Sequence, residues 1–429
     1  MGFFTRGAGL APRFGTPPEC PTERAEMEFV TTEEAAVQAP EGSALPITPL
    51  VAPGDRVLRG QAVASLRHAP GISLVSPITG TAAHVRLHPG RKLSEIVIYR
   101  EQDGDAGAVR HDTAAAADDA TDLRRLMQAS GVWPLLRRRP FGGMPAAEEV
   151  PAAIVVMATD TRPGAPDPRR ALAGREEDLG RGLAALGRLT DGPVVLCLPE
   201  GAEELLPTGV MPRLRPVIRG ALHPQGASGI CIHQLCPAAP EAPVWDMHAE
   251  DAAALGALLK KGVLEMSRLV RIGGAGLREG RSLRTHPGAD LRQLTRRIVA
   301  PGGHVLLSGS PLDGRRVSWL GPRDRQITVL PEVPRRPPAH WLADALGHAP
   351  RGTPVIPTAA LTQAFGAALP AAVFVRALGA GDEETALRLG LLSLLEEDVA
   401  LADYVLGEGG QVMAQLRRIL DRVQRETAA

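Results

Sequence analysis

At 429 residues the chain is long enough for roughly two to four domains. Apolar residues make up 44% and aromatics only 3%, so the cores must be built from Leu, Val and Ala. The formal net charge is zero. That argues against nucleic acid as a principal partner, because phosphate binding needs a basic excess on some domain.

The basic residues are almost all Arg, with Lys only at 92, 260 and 261, which fits genome composition better than function. Cysteine is sparse: Cys20, Cys197, Cys231 and Cys236 are too scattered for a disulfide scaffold and point to a reducing compartment. No apolar run approaches the ~20 residues of a membrane helix. The first residues, Met1 to Arg6, lack the apolar core of a signal peptide. A soluble, cytoplasmic chain is expected, with contact to a membrane only through partners.

Residues 1–45 are rich in Pro, Gly and Glu and read as an irregular lead-in. From Leu50 to Ile98, short β-branched stretches alternate with Pro-Gly-Asp and Thr-Gly turns, the pattern of hairpins. Residues 100–118 form an acidic, Ala-rich linker. Thr121 is the expected cap of a helix with Leu123, Leu126 and Met127 on its apolar face and Gly131 as its stop. An amphipathic turn then carries Trp133 and ends in Arg137, Arg138 and Arg139, where Pro140 forbids further helix.

Ile154 to Ala158 is an unbroken apolar run, as in a strand covered on both faces of a parallel sheet. A helix is expected near Glu176 to Leu189, with Leu179, Leu183, Leu186 and Leu189 on one side. Val194 to Leu198 completes a βαβ unit with a right-handed crossover. Ile230 to Ile232 and Val244-Trp245 read as further strands. Ala249 to Lys261 is a helix with an acidic first turn, a basic last turn and Gly262 as stop.

A third module opens at Leu269 to Ile272. It continues through a helix near Ala289 to Val299 and strands at Val305 to Ser308 and Gln326 to Val329, which suggests a β-grasp. Residues 331–357 are proline-heavy. The tail is helical, and Val412, Met413, Leu416, Ile419, Leu420 and Val423 give its last helix a broad apolar stripe.

Chemistry is conspicuous by what these loops lack. Dinucleotide binding needs glycines in the first βα turn, so that backbone can touch pyrophosphate. Here that turn is Thr159-Asp160-Thr161-Arg162-Pro163, and Asp160 repels phosphate. Gly273-Gly274-Ala275-Gly276 does not continue as a dinucleotide motif. There is no phosphate-binding Gly-Lys-Ser/Thr loop and no four-cysteine iron–sulfur pattern. Cys231 and His233 would share one face of a strand, with no third or fourth ligand in view, so a metal site is not expected there. No Ser-His-Asp set stands out.

Two resemblances follow from motifs. The Gly54-Asp55 turn with Gly60-Gln61, followed by Ser76-Pro77 and Gly80, resembles the barrel-sandwich fold of biotinyl and lipoyl carrier domains. The expected hairpin tip, Leu66 to Gly71, has no lysine to acylate, so only the architecture carries over. Over most of its length the chain resembles the NqrA family, a component of the Na+-translocating NADH:quinone oxidoreductase. The motifs are Gly9 to Pro12 with Gly15 to Pro17, Pro70-Gly71 with Ser76 to Gly80, and Gly131 to Trp133 with Arg139 to Phe141. They continue with Asp160 to Pro163 and Asp167-Pro168, Arg219 to Pro224 with Ile232-His233, and Ser308 to Ser310 with Gly314. In the tail they are Gly381-Asp382, Ala386 to Gly390 and Glu396 to Leu401.

The resemblance implies a divergent member. Two cysteines and a Pro-Gly-Lys usual in the family tail are replaced by the sequence from Ala402 onward, and Thr362 to Ala367 replaces another family stretch. RnfC, from the related Rnf complex, has similar modules plus iron–sulfur cysteine sets, which are missing here.

The implied architecture is a barrel-sandwich domain with its lead-in (1–105), a helical elbow (106–150), a Rossmann-like α/β domain (151–262), an SLBB-like β-grasp (263–332) and a C-terminal helical domain (333–429). The implied role is that of a peripheral component on the cytoplasmic face of the bacterial inner membrane, without a redox cofactor of its own. Flavins (FMN, FAD, riboflavin), iron–sulfur centres, NADH oxidation and sodium passage belong to the partner chains NqrB to NqrF, and the chain docks chiefly on NqrB, a membrane protein. Ubiquinone is the substrate of the complex. Trp133, Arg137, Arg139 and Phe141 are the candidate quinone-facing or partner-facing residues, since an apolar wall with a few donors suits a quinone head and the same residue types suit an interface. Another reading is a non-catalytic adaptor without a quinone site. A free flavin or NADH oxidoreductase is disfavoured by the missing glycine loop.

Overall fold

The computed structural model describes residues 7–14, 27–40, 44–101, 107–209, 211–332, 355–407 and 409–427. Cys20, the Gly15 to Pro17 motif and most of the proline-heavy 331–357 stretch lie outside the described residues.

The N-terminal unit is a sandwich of two antiparallel sheets. One has the order β1 (Glu34–Val37), β7 (Lys92–Arg100), β6 (Gly80–His88), β3 (Arg56–Val57). The other has the order β2 (Ile47–Pro49), β4 (Ala62–Leu66), β5 (Ala69–Val75). Ile47, Val57, Val63, Ile96 and Ile98 fill the space between them at 0% exposure. The expected hairpins are present. The irregular reading of residues 1–45 missed β1, whose short Glu-Ala-Ala-Val has no β-branched run to mark it and is held by pairing to β7.

Helix α1 (Ala120–Ser130) crosses to the second unit. Its cap is Asp119, not Thr121: the Asp119 carboxylate accepts the N–H groups of Thr121 and Asp122 at 2.8 and 2.9 Å. A carboxylate reaches two orphan donors and also complements the helix dipole.

The second unit is a five-stranded sheet in the order β11 (Leu214–Arg219), β10 (Val194–Pro199), β9 (Ala153–Met157), β12 (Val244–His248), β8 (Arg137–Arg139). The first four strands are parallel. The chain steps outward from β9 to β10 and β11, then returns to place β12 on the other side of β9. The order therefore reverses at the β9–β12 pair. All of β9 is buried, as its continuous apolar sequence requires. Helices α2 (Pro168–Leu172), α3 (Glu176–Leu186), α4 (Ser228–Leu235) and α5 (Ala249–Lys261) cover the sheet. Helices α3 and α5 cross closely at Gly182 and Gly256, where a Cβ on either would strike backbone of the other.

Three expectations are corrected here. Arg137 to Arg139 are not the end of a turn but edge strand β8, antiparallel to β12. Ile230 to Ile232 belong to helix α4, not to a strand; a short apolar run does not distinguish the two by periodicity. Helix α3 ends at Leu186, although Leu189 is still buried beyond it.

The third unit is a five-stranded sheet in the order β14 (Arg281–Thr285), β13 (Arg268–Gly273), β17 (Gln326–Pro331), β15 (His304–Ser308), β16 (Arg315–Arg316). Only β13 and β17 are parallel. Its helix, α6, is shorter than expected, Leu291–Thr295, and starts on the Asp290 side chain.

The C-terminal unit packs α7 (Ala359–Ala364), α8 (Ala371–Ala380), α9 (Glu383–Arg388), α10 (Glu396–Leu406) and α11 (Gln411–Thr427) around Phe365, Phe374, Leu391, Val399, Leu416 and Leu420. The apolar stripe of α11 faces inward as expected, with Val412, Leu416, Ile419, Leu420 and Val423 buried. No helix among the described residues is long and apolar enough to cross a membrane.

Candidate functional site

The four candidate residues lie within about ten residues of one another in the chain, but they serve different interiors. Trp133 is 0% exposed. Its indole N–H donates to the carbonyl of Pro145 at 3.0 Å, and its ring meets Trp245 edge-on at 5.3 Å between centroids. The Arg124 guanidinium sits 5.2 and 5.8 Å from the two ring centroids, a cation–π arrangement. Phe141 is 7% exposed and joins the core of the C-terminal helices. Its carbonyl accepts Arg417 Nη1 at 3.0 Å, and Arg417 also pairs with Glu396 at 2.7 Å.

Arg137 and Arg139 share one face of β8, as period-two geometry dictates. Arg138 points the other way and pairs with Glu149 at 3.1 Å. Asp246 of β12 receives both arginines of the first face. Arg137 Nη2 reaches its Oδ2 at 3.1 Å, and Arg139 Nη1 reaches its Oδ1. Ser228 Oγ, at the start of α4, accepts both guanidiniums at 2.9 and 3.0 Å.

The third side of the cluster comes from the start of α10. Glu397 pairs with Arg137, and Asp398 Oδ2 lies 3.0 Å from Arg139 Nη2. Asp398 also closes its own helix start, accepting Leu395 N–H at 2.8 Å, and takes the N–H of Gly229 at 2.9 Å. Arg139 and Asp398 are both fully buried. The cluster thus joins edge strand, α4 and C-terminal helices in one buried knot of charge.

Burial by itself would raise the Asp246 carboxyl, but Arg137 and Arg139 outweigh it and hold Asp246 below the usual range. Glu397 has the same balance with the same outcome. Asp398 goes the other way: burial pushes it up, and the nearby Glu397 carboxylate adds to that against the pull of Arg139. With two guanidiniums facing three carboxyl groups, one proton or one further cation is needed for neutrality.

The turn after β9 is filled by its own side chains. Arg162 folds back on Asp160 at 2.6 Å and bridges to Asp313 at 3.3 Å. Thr161 Oγ1 accepts the N–H of Gly226 at 2.8 Å. Across the β9–β12 reversal, Glu250 in the first turn of α5 gathers the third unit. It takes the N–H of Leu269 at 3.0 Å, Arg325 Nε at 3.1 Å and Arg284 Nη1 at 3.2 Å. Asp251 pairs with Arg325 Nη2 at 2.8 Å. The fully buried Arg268 beside them is pulled down to about 10, by burial first and by the Arg325 charge next.

Cys231 and His233 lie on α4, and no cluster of three or more metal-ligating side chains occurs among the described residues. Sequence reasoning passed over Ser228, Asp246, Glu250 and Arg325 as site residues. Of these only Glu250 carried a local signal, the acidic pair Glu250-Asp251 at a helix start; the pair Glu397-Asp398 at another helix start marked the third side of the cluster in the same way.

A barrel sandwich feeding a parallel α/β sheet, with a separate helical unit clamped onto it by buried charges, defines a multidomain chain. Residues 19–101 match the family model of the NqrA N-terminal barrel-sandwich hybrid domain, and residues 118–264 match the NqrA second alpha/beta domain. The A subunit of the Na(+)-translocating NADH-quinone reductase of Actinobacillus pleuropneumoniae serotype 5b (strain L20) is 30% identical over 432 residues, spanning 92% of this chain and 94% of that protein. Its counterpart in Pasteurella multocida (strain Pm70) is 30% identical over 400 residues, covering 87% and 89%. That of Shewanella amazonensis (strain ATCC BAA-1098 / SB2B) is 31% identical over 404 residues, covering 87% and 89%. The chain belongs to the NqrA family. Among solved structures, a chain of an NAD+-reducing [NiFe]-hydrogenase in its H2-reduced state overlays with a TM-score of 0.39 and 16% identity, over 70% of this chain and 63% of that one. That overlay is too loose to argue from.

Proposed function

We propose that this chain is the peripheral NqrA component of a membrane complex that oxidises NADH, reduces a quinone and exports Na+, and that it docks on the cytoplasmic face through NqrB. The observation that carries this is the length of the likeness, 30% identity across 92% of the chain. A likeness of that length runs beyond the two matched domains, 19–101 and 118–264, so more is shared than one common fold. Flavins, iron–sulfur centres and the sodium path are assigned to the partner chains.

Within this reading, the α/β unit is Rossmann-like and the 268–331 unit is a β-grasp of the SLBB kind. The reversal of strand order at β9 supports the first assignment. The parallel β13–β17 pair flanked by antiparallel strands and a short helix supports the second. The adaptor form is favoured over direct quinone contact at Trp133, Arg137, Arg139 and Phe141, because these side chains are consumed by cores and ion pairs. A tagged chain purified from detergent-solubilised membranes of its own host is expected to bring down NqrB to NqrF. Recovery of the chain alone, with NqrB present in those membranes, would overturn the reading.

A further inference from the structure

Charge is not spread evenly over this neutral chain. Residues 268–331 hold twelve arginines against four acidic side chains, a formal charge of +8, so the remaining residues carry −8. Such a separation between units is the electrostatic sign of a partner with a charged surface. Much of the excess is engaged within the molecule. Arg281, Arg284, Arg315 and Arg316 pair with Glu28, Glu250, Asp324 and Glu332. Arg268 and Arg325 are buried beside Asp251, and Arg271 and Arg323 have partners of their own.

Four arginines are left, and the fold gathers them. Arg292 and Arg296 lie one turn apart on α6 and its end, where the Arg296 N–H donates to the Arg292 carbonyl at 2.8 Å, so they share a face. Arg297 follows directly. Arg278 comes from the loop after β13, and its N–H donates at 2.8 Å to the carbonyl of Ile298, the residue that follows Arg297. All four are exposed, and none forms an ion pair among the described residues. Leu291, Leu294 and Ile298 of the same segment are buried in the core of the unit. Among the exposed residues from Ala275 to Gly303, Glu279 is the sole acid, and no aromatic or large apolar side chain is present. Asp290 is turned to the start of α6, where its carboxylate accepts the Arg292 N–H at 3.0 Å. A specific protein interface is centred on aromatic or apolar anchors, and this face offers none. Reading a duplex needs a helix or ribbon that enters a groove, and α6 has only 5 residues. A fluid layer of anionic headgroups needs neither, because each arginine near it adds its own attraction.

We propose that the face formed by Arg278, Arg292, Arg296 and Arg297 rests on the anionic headgroups of a lipid bilayer and turns the third unit toward the membrane. The negative remainder of the chain is repelled by the same surface, so a molecule of zero net charge is attracted in one orientation only. The inference rests on the reading of the chain as a peripheral component of a membrane complex and adds a direct lipid contact to the one made through partners. Its test uses the purified chain, so its failure leaves the recovery of NqrB to NqrF from membranes untouched.

The test is co-sedimentation of the purified full chain with vesicles of phosphatidylglycerol and phosphatidylcholine in equal parts, beside vesicles of phosphatidylcholine alone. The chain is expected to bind the mixed vesicles, to leave the neutral ones free, and to be released as salt shortens the Debye length below about 8 Å. Arg296→Gln with Arg297→Gln is expected to weaken binding about fivefold for each charge removed. Arg296→Lys with Arg297→Lys keeps the charge and is expected to bind within about twofold of the native chain. Arg418→Gln with Arg425→Gln removes the same charge from exposed positions on α11 and is expected to change binding by less than about twofold. Failure to bind the mixed vesicles, equal binding to the neutral ones, or equal weakening by the two glutamine pairs overturns the proposal. So does retention on double-stranded DNA in preference to the mixed vesicles.

Discussion

Gly229 has no side chain because Asp398 occupies the place of one. A Cβ there would overlap the Asp398 carboxylate, which instead takes the Gly229 N–H at 2.9 Å. These residues are 169 positions apart, and their contact seats the C-terminal helices directly on the α/β unit. Gly229→Ala is therefore expected to destabilise the chain by about 1–3 kcal/mol, the usual cost of overpacking. Urea unfolding measures it, and limited proteolysis should locate the loosening at α10.

Arg139 and Asp398 form a buried pair, in which removing one partner strands the other's charge. Arg139→Met alone is expected to cost about 3–5 kcal/mol. Combined with Asp398→Asn it should cost less than the sum of the two, with a coupling of about 1–3 kcal/mol in a double-mutant cycle. Additivity within about 0.5 kcal/mol would show that the contact is incidental.

Two buried histidines, His223 and His286, and the half-buried His248 set an acid limit. His223 and His286 are each lowered to about 4, chiefly by burial. His248 is also well below its ordinary value, by burial and by the Arg325 charge; its ring nitrogen accepts Glu250 N–H as the cap of α5, which requires the neutral form. A depressed histidine binds its proton more readily when unfolded. Stability is therefore complete above about pH 6.5 and declines as pH falls toward 4, by on the order of 3 kcal/mol for each of His223 and His286. Urea midpoints between pH 7.5 and 4.5 should fall steadily, and His286→Gln should flatten part of that slope. The opposite slope would contradict the neutral assignment.

Glu250 holds the third unit to the second. Glu250→Gln keeps the shape but leaves Arg325 and Arg284 short of countercharge, with an expected loss of about 3 kcal/mol. Amide hydrogen exchange should rise in β13 and β17 while α10 keeps its protection.

The parts of this fold that the sequence announces are those set locally. Strands β9 and β10 are continuous apolar runs, and α5 carries its acidic start, basic end and glycine stop. The parts it hides are set by distant partners. Nothing in Arg137-Arg138-Arg139 marks a strand; Asp246, Glu397 and Asp398 neutralise Arg137 and Arg139 from positions more than a hundred residues away, and Glu149 takes Arg138 on the other face. Likewise Ile230-Cys231-Ile232 has the same apolar content in a strand or a helix, and packing decided for the helix. Trp133 and Arg139 were legible as important but not as buried, since an aromatic with arginines reads alike in a core and at an interface.

The role in the membrane complex is tested most directly by deleting this chain in its host and measuring Na+-stimulated NADH:quinone reductase activity in the membranes. The account predicts that activity falls to background and returns when the chain is restored. Membranes that retain full Na+-stimulated activity without it would contradict the account.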